Sequence, residues 1–222
     1  LEPNNEEYDF YRALIHFKEA NFPATYQWME TVKKQSPLYI AFDVLIAMSM
    51  NKDELAQEFS QKLINMLPND ILPHLLYIDT HYVKEENKMF ARKAIKHLKR
   101  QNFKMDDYYY GPFITKHLYT QYAQITGSLY PLRERLKKKL SSEKERPVGV
   151  LQSLALVNTY TQNFEEAYTI YNELIDTHKQ QDSHTLFLAA IAATGAKHPA
   201  NAIALLELCL LYTSDAADDE TS

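Results

Sequence analysis

Apolar residues along this chain recur at i, i+3, i+4 and i+7 in segments of 13 to 20 residues, separated by short polar or proline-marked breaks. The spacing predicts helices over 6–20, 23–35, 38–50, 52–67, 71–84, 87–101, 107–126, 129–142, 148–162, 164–180, 183–195 and 199–211. Twelve helices in consecutive pairs make six hairpins, so the fold class expected is all-α. Pro23, Pro37 and Pro199 fall in first turns, where a missing amide donor is tolerated, and Ser36, Asn51, Asp70, Asn163 and Ser183 are the expected N-caps. Gly195 stands where a helix C-terminus is expected.

A small residue near the start of each second helix marks the register. Ala24, Ala56, Ala91, Ala167 and Ala202 are separated by 32, 35, 76 and 35 residues, and 76 is two units of 38. The missing mark falls near Pro131, in a longer fourth hairpin over about 106–142. The best copy of the unit is Leu151-x2-Leu154-Ala155-x2-Asn158 followed by Ala167-x3-Tyr171. Its neighbour, offset by 35, is Leu186-x2-Ala189-Ala190-x2-Ala193 followed by Ala202-x3-Leu206. Tyr8, Tyr11 and Ile15 with Ala24 and Trp28 repeat the spacing, as do Leu75, Ile78 and Tyr82 with Ala91 and Ile95; Tyr39, Phe42 and Ile46 with Ala56 and Pro68 fit more loosely.

This pattern resembles the tetratricopeptide repeat family, whose unit is roughly 34 residues long. The resemblance implies an α-α superhelix, a solenoid of about six helical hairpins over residues 1–208. Arg12 and Asp79 stand where the family has a small residue, and only Pro68 occupies its closing-proline position. A closed multi-helix bundle is the rival arrangement. Small residues such as Ala155 and Ala167 let the two helices of a hairpin approach closely, and no hairpin buries its apolar face alone.

The final residues stand apart. Cys209 to Asp218 resembles the conceptual translation of a sequencing adapter, so 209–222 is expected to be foreign to the natural protein. Leaving it out removes Asp215, Asp218, Asp219 and Glu220, takes the formal charge from -5 to -1, and removes the single cysteine. A chain without thiols fits an exported location better than a cytosolic one. No run of about 18 apolar residues is present to span a membrane.

Signatures of catalysis are missing. None of the eight histidines is four residues from another, and there is no His-Glu-x-x-His, Gly-x-Ser-x-Gly or phosphate-cradling glycine loop. His74 and His81 share a helical face but are expected to be ordinary helix-surface histidines. Glu85-Glu86, Asp106-Asp107 and Glu165-Glu166 sit at helix ends, where carboxylates offset the backbone dipole. Arg133 to Lys139 is read as a basic, solvated helix face, and Tyr108-Tyr109-Tyr110 with Phe113, Tyr119 and Tyr122 as rings filling the larger fourth hairpin. The expectation is therefore a non-enzyme without metal or cofactor that binds no nucleic acid.

In the tetratricopeptide family the first helix of each hairpin lines a groove that receives a peptide or partner helix. Carried onto the two best units, the resemblance places Gln152, Leu156, Thr159, His184, Phe187, Ile191 and Thr194 on that face. They are mostly apolar or neutral, and packing against a neighbouring hairpin is the alternative role for Leu156, Phe187 and Ile191. The Lys, Arg and Asn clamp of the family's chaperone-tail class is absent, which points to an apolar helix or extended segment as partner. The reading is a protein-protein interaction scaffold or adaptor. The alternative is the recognition arm of a larger enzyme or sensor. Leu188 to Leu206 is also similar to periplasmic flagellar-motor scaffolds of the paralysed-flagella type, which implies a bacterial cell envelope.

Overall fold

A computed structural model of the chain describes residues 6–19, 21–33, 36–82, 87–100, 108 and 113–218. The chain forms two compact units, Leu1–Phe103 and Lys104–Ser222. In the first, the described helices are α1 (Glu6–Lys18), α2 (Phe22–Thr31), α3 (Pro37–Ser49), α4 (Asp53–Met66), α5 (Ile71–Tyr82) and α6 (Lys88–Arg100). In the second they are α7 (Phe113–Ile125), α8 (Leu129–Ser142), α9 (Val148–Tyr160), α10 (Phe164–Asp176), α11 (Ser183–Gly195) and α12 (Pro199–Asp218). No strand occurs among the described residues. The predicted helices are all found, several of them shorter at their C-terminal ends. In α10 the cause is local: Thr177 caps the helix, and Lys179 turns the backbone into the left-handed region at φ +56°.

One turn recurs along the chain and sets the register. The amides of Asn21, Lys52, Ser128, Asn163 and His198 donate to the carbonyls of His16, Ala47, Ala123, Asn158 and Ala193, each five residues back, at 2.7–2.9 Å. This is the long bond of a Schellman closure, which satisfies carbonyls left over at a helix end. Asn51, Gly127, Gln162 and Lys197 supply the left-handed residue that the closure needs, with φ between 55 and 69°. Four residues after each of those donors the next helix makes its first bond, from the amides of Thr25, Ala56, Leu132, Ala167 and Ala202.

These five residues are buried and mark the true register. The mark in the first hairpin is Thr25, one residue beyond Ala24, and that in the fourth is Leu132. Twelve residues before each lie Ala13, Val44, Thr120, Ala155 and Ala190, all buried where the paired helices meet. The departure at Arg12 disappears with this correction, because Ala13 fills the small position. Arg12 is exposed, with its guanidinium 4.7 Å from the centre of the Trp28 ring. Tyr8, Tyr11 and Ile15, expected on the packed face, are exposed; Phe10 and Ala13 are buried instead.

Within each unit every described helix packs on the next one, and the first helices of neighbouring hairpins also meet: α3 with α5, α7 with α9, and α9 with α11. Neither α1 and α6 nor α7 and α12 pack together, so among the described residues neither unit closes into a bundle. This is the linear packing of an all-α solenoid. Phe10, Tyr39, Phe42 and Ile46 fill the first core, with the Phe10 ring 4.5 Å from Tyr39 and 5.5 Å from Phe42. Leu151, Leu154, Leu174 and Leu186, each at most 2% exposed, dominate the second.

Capping follows the expected residues only in part. Ser36 accepts the Tyr39 amide at 3.3 Å as expected, but Asp182, not Ser183, caps α11, accepting the Thr185 amide at 3.0 Å and its hydroxyl at 2.7 Å. Asn51 is a turn residue rather than a cap. Asn163 precedes α10 with its side-chain amide donating back to Thr161 at 2.7 Å.

Candidate functional site

The exposed face of α11 carries His184, Phe187, Ile191 and Thr194 at intervals of three, four and three, the spacing of one helical stripe. Phe187 is 49% and Ile191 37% exposed, values that a core position does not show. Gln152 and Thr159 on α9 are half-buried. Leu156 is not on the face: it is fully buried in the core of the second unit, because α9 is flanked by first helices on both sides, α7 and α11. The hydroxyls of Thr159 and Thr194 donate to the carbonyls of Ala155 and Ala190, at 3.0 and 2.9 Å. Their polar hydrogens are thus taken up by their own helices, which leaves the face weakly polar.

Counting back 35 residues from Gln152 gives His117 on α7, so His117, Gln152 and Phe187 occupy one position in three successive first helices. His117 was missed in the sequence because its hairpin lacks the alanine mark. The Tyr160 hydroxyl lies 3.4 Å from His117 Nε2. Burial pushes the His117 pKa down, and the nearby His184 adds to the effect. Burial likewise lowers His184, partly offset by Asp182. Both rings are therefore favoured in the neutral form, in keeping with a face for an apolar partner.

Other sequence candidates resolve into structural roles. His74 and His81 are buried rather than surface histidines and bond to different carbonyls, Pro68 at 2.8 Å and Tyr77 at 2.9 Å. No group of three His, Cys, Asp or Glu that could hold a metal occurs among the described residues. Tyr108 is buried with its ring 4.7 Å from Tyr119, so it fills the core; Tyr109, Tyr110, Glu85, Glu86, Asp106 and Asp107 lie outside the described residues.

Three of the five cations in the basic run on α8 are paired. Arg133 and Lys137 both bind Glu166, and Lys139 binds Glu143 at 2.7 Å. Burial pushes the Glu166 carboxyl up, but hydrogen bonds from Lys137 and Arg133 outweigh it and leave it below the usual range. The cleft between α8, α9 and α10 is lined by Lys137, Arg146, Leu154, Glu166 and Ile170, and its Arg146 is paired with Glu173 at 2.8 Å. A cleft whose cations are already paired offers little to an anionic ligand.

No family model matches the chain, and no curated protein matches it in sequence. Fold and face together define an all-α helical-repeat protein with an exposed apolar stripe on its last described first helix. No described helix is long and apolar enough to cross a membrane.

Proposed function

We propose that this chain is a non-catalytic protein-protein interaction scaffold of the tetratricopeptide type, receiving an apolar helix or extended segment on the first-helix face of its second unit. The observation that carries the reading is the stripe of Phe187 and Ile191, exposed side by side on α11. The 35-residue steps of the left-handed turn residues Gly127, Gln162 and Lys197 support the family assignment, since they match its period. On the resemblance of residues 188–206 to periplasmic flagellar-motor scaffolds alone, we propose the bacterial cell envelope as its place.

A photo-crosslinking residue at position 187, with a second at exposed Glu145 as control, tests the proposal in cells expressing the intact gene. A discrete protein adduct from position 187 alone, lost in Ile191→Asp, is the expected result. Equal adducts from both positions, or none, overturn the reading.

A further inference from the structure

The helix with the most one-sided charge is α6. It carries Lys88, Arg92, Lys93, Lys96, Lys99 and Arg100 and no acidic residue, over 13 residues. Ala91, Ala94 and Leu98 are buried and fix which side faces the core. At about 100° per residue, the opposite side is centred on Met89 and flanked by Lys93, Lys96 and Arg100, with Arg92 just beyond. Met89 is 54% and Phe90 41% exposed. Unlike Arg133, Lys137 and Lys139 of α8, the α6 cations Arg92, Lys96, Lys99 and Arg100 take part in no ion pair among the described residues. Lys93 Nζ lies 5.8 Å from the centre of the Phe90 ring, so an aromatic side chain and a cation present themselves together.

We propose that this face of α6 docks on the surface of an anionic lipid bilayer. Clustered Lys and Arg on an amphipathic helix are attracted by acidic headgroups, and the Met89 thioether at the centre gains by entering the boundary of the acyl chains, with the Phe90 ring, about 100° round the helix and beside His81, at the edge of that contact. A nucleic-acid backbone matches the cations but gives Met89, at the centre of the face, nothing to bury against. The formal charge of the whole chain is -5, so the attraction belongs to this face and not to the protein at large. Screening limits it to contact range, about 8 Å at physiological ionic strength. The proposal is independent of the partner stripe on α11.

Co-flotation of the full chain with vesicles of phosphatidylcholine containing phosphatidylglycerol, compared with phosphatidylcholine alone, is the test. The wild type floats with the anionic vesicles only, and less as salt is raised. Each neutralised cation weakens binding about fivefold, so Lys93→Gln/Lys96→Gln/Arg100→Gln weakens it on the order of 100-fold. Met89→Ser/Phe90→Ser weakens it as well, whereas Arg135→Gln/Lys138→Gln on α8 leaves it within about twofold. The altered side chains are exposed or half-exposed surface groups, and unchanged thermal melting shows that each variant is folded. Absence of flotation, equal flotation with neutral vesicles, or a triple variant that binds like the wild type overturns the proposal. So does retention of the wild type by duplex nucleic acid or an acidic peptide without vesicle binding.

Discussion

Leu156 and Ile191 stand 35 residues apart at the same position of successive first helices, yet Leu156 is wholly buried and Ile191 is 37% exposed. The difference is a neighbour: α9 has first helices on both sides, and among the described residues α11 has one only on the α9 side. Leu156→Ala should therefore cost about 2–5 kcal/mol of stability, the range for an apolar side chain removed from a packed core. Ile191→Ala should cost well under half as much, and its main effect should fall on partner binding. Urea denaturation of both variants checks this; equal losses would mean that Ile191 is as enclosed as Leu156.

Gly195 ends α11, and a methyl group there would lie 2.3 Å from Cγ of the Phe164 ring. Its backbone is not left-handed, so alanine ought to favour the helix by roughly 0.5–1 kcal/mol on propensity alone. The ring reverses the sign. Gly195→Ala should destabilise by about 1–3 kcal/mol, the usual cost of overpacking. Combining it with Phe164→Leu should recover part of that loss, and thermal melts of the single and double variants give the coupling directly.

Much of this architecture was legible in the sequence, because hydrophobic periodicity reports burial and burial defines helices. The starts of the last four helices were placed residue by residue, since Ala155, Ala167, Ala190 and Ala202 are small for a packing reason, but α10 ends at Asp176 rather than 180 and α12 runs to Asp218 rather than 211. In the first hairpin Thr25 fills the same place, and its side chain can be buried because its hydroxyl donates to the Asn21 carbonyl at 2.9 Å. A search for alanine slides one residue to Ala24 and turns the predicted face toward Tyr8 and Tyr11. The stripe on α11 was readable from the repeat, but which of Leu156, Phe187 and Ile191 packs against a neighbouring hairpin was not, because that depends on a neighbouring helix rather than on their own. The cationic face of α6 is written in the sequence as six Lys or Arg without an acid.

The four left-handed turn residues invite stabilisation. Gly127 takes φ +69° without a Cβ penalty, whereas Gln162 at +59° and Lys197 at +64° carry a side chain in the same conformation. Gln162→Gly and Lys197→Gly should each stabilise the second unit by up to about 1 kcal/mol, reduced by the greater freedom of glycine in the unfolded chain. Gly127→Ala should destabilise it by a similar amount. Melting temperatures of the three variants check the sign at each turn, and a loss from both new glycines would show that these turns hold no strain.

Asp43 on α3 and the histidines of α5 give the first unit opposing responses to pH. Burial raises the Asp43 carboxyl to about 6, with Lys62 pulling weakly the other way. A folded-state value above the unfolded one means that the native protein binds the proton more tightly, so this group's contribution to stability falls as pH rises from about 4 to 6. His74 and His81 are lowered, first by burial, so their contribution falls as pH drops below about 6.5, where the unfolded chain takes up the protons before the folded one. Asp43→Asn removes the Asp43 part of the first response, which the buried Asp79 carboxyl on α5 shares, and leaves the second. The variant should therefore be more stable than the wild type at pH 7.5, with the gap narrowing toward zero by about pH 4, and its acid destabilisation should be the steeper of the two. Urea midpoints for both proteins across that range decide it, because a gap that stays constant with pH would show that the Asp43 carboxyl ionises as it does in water.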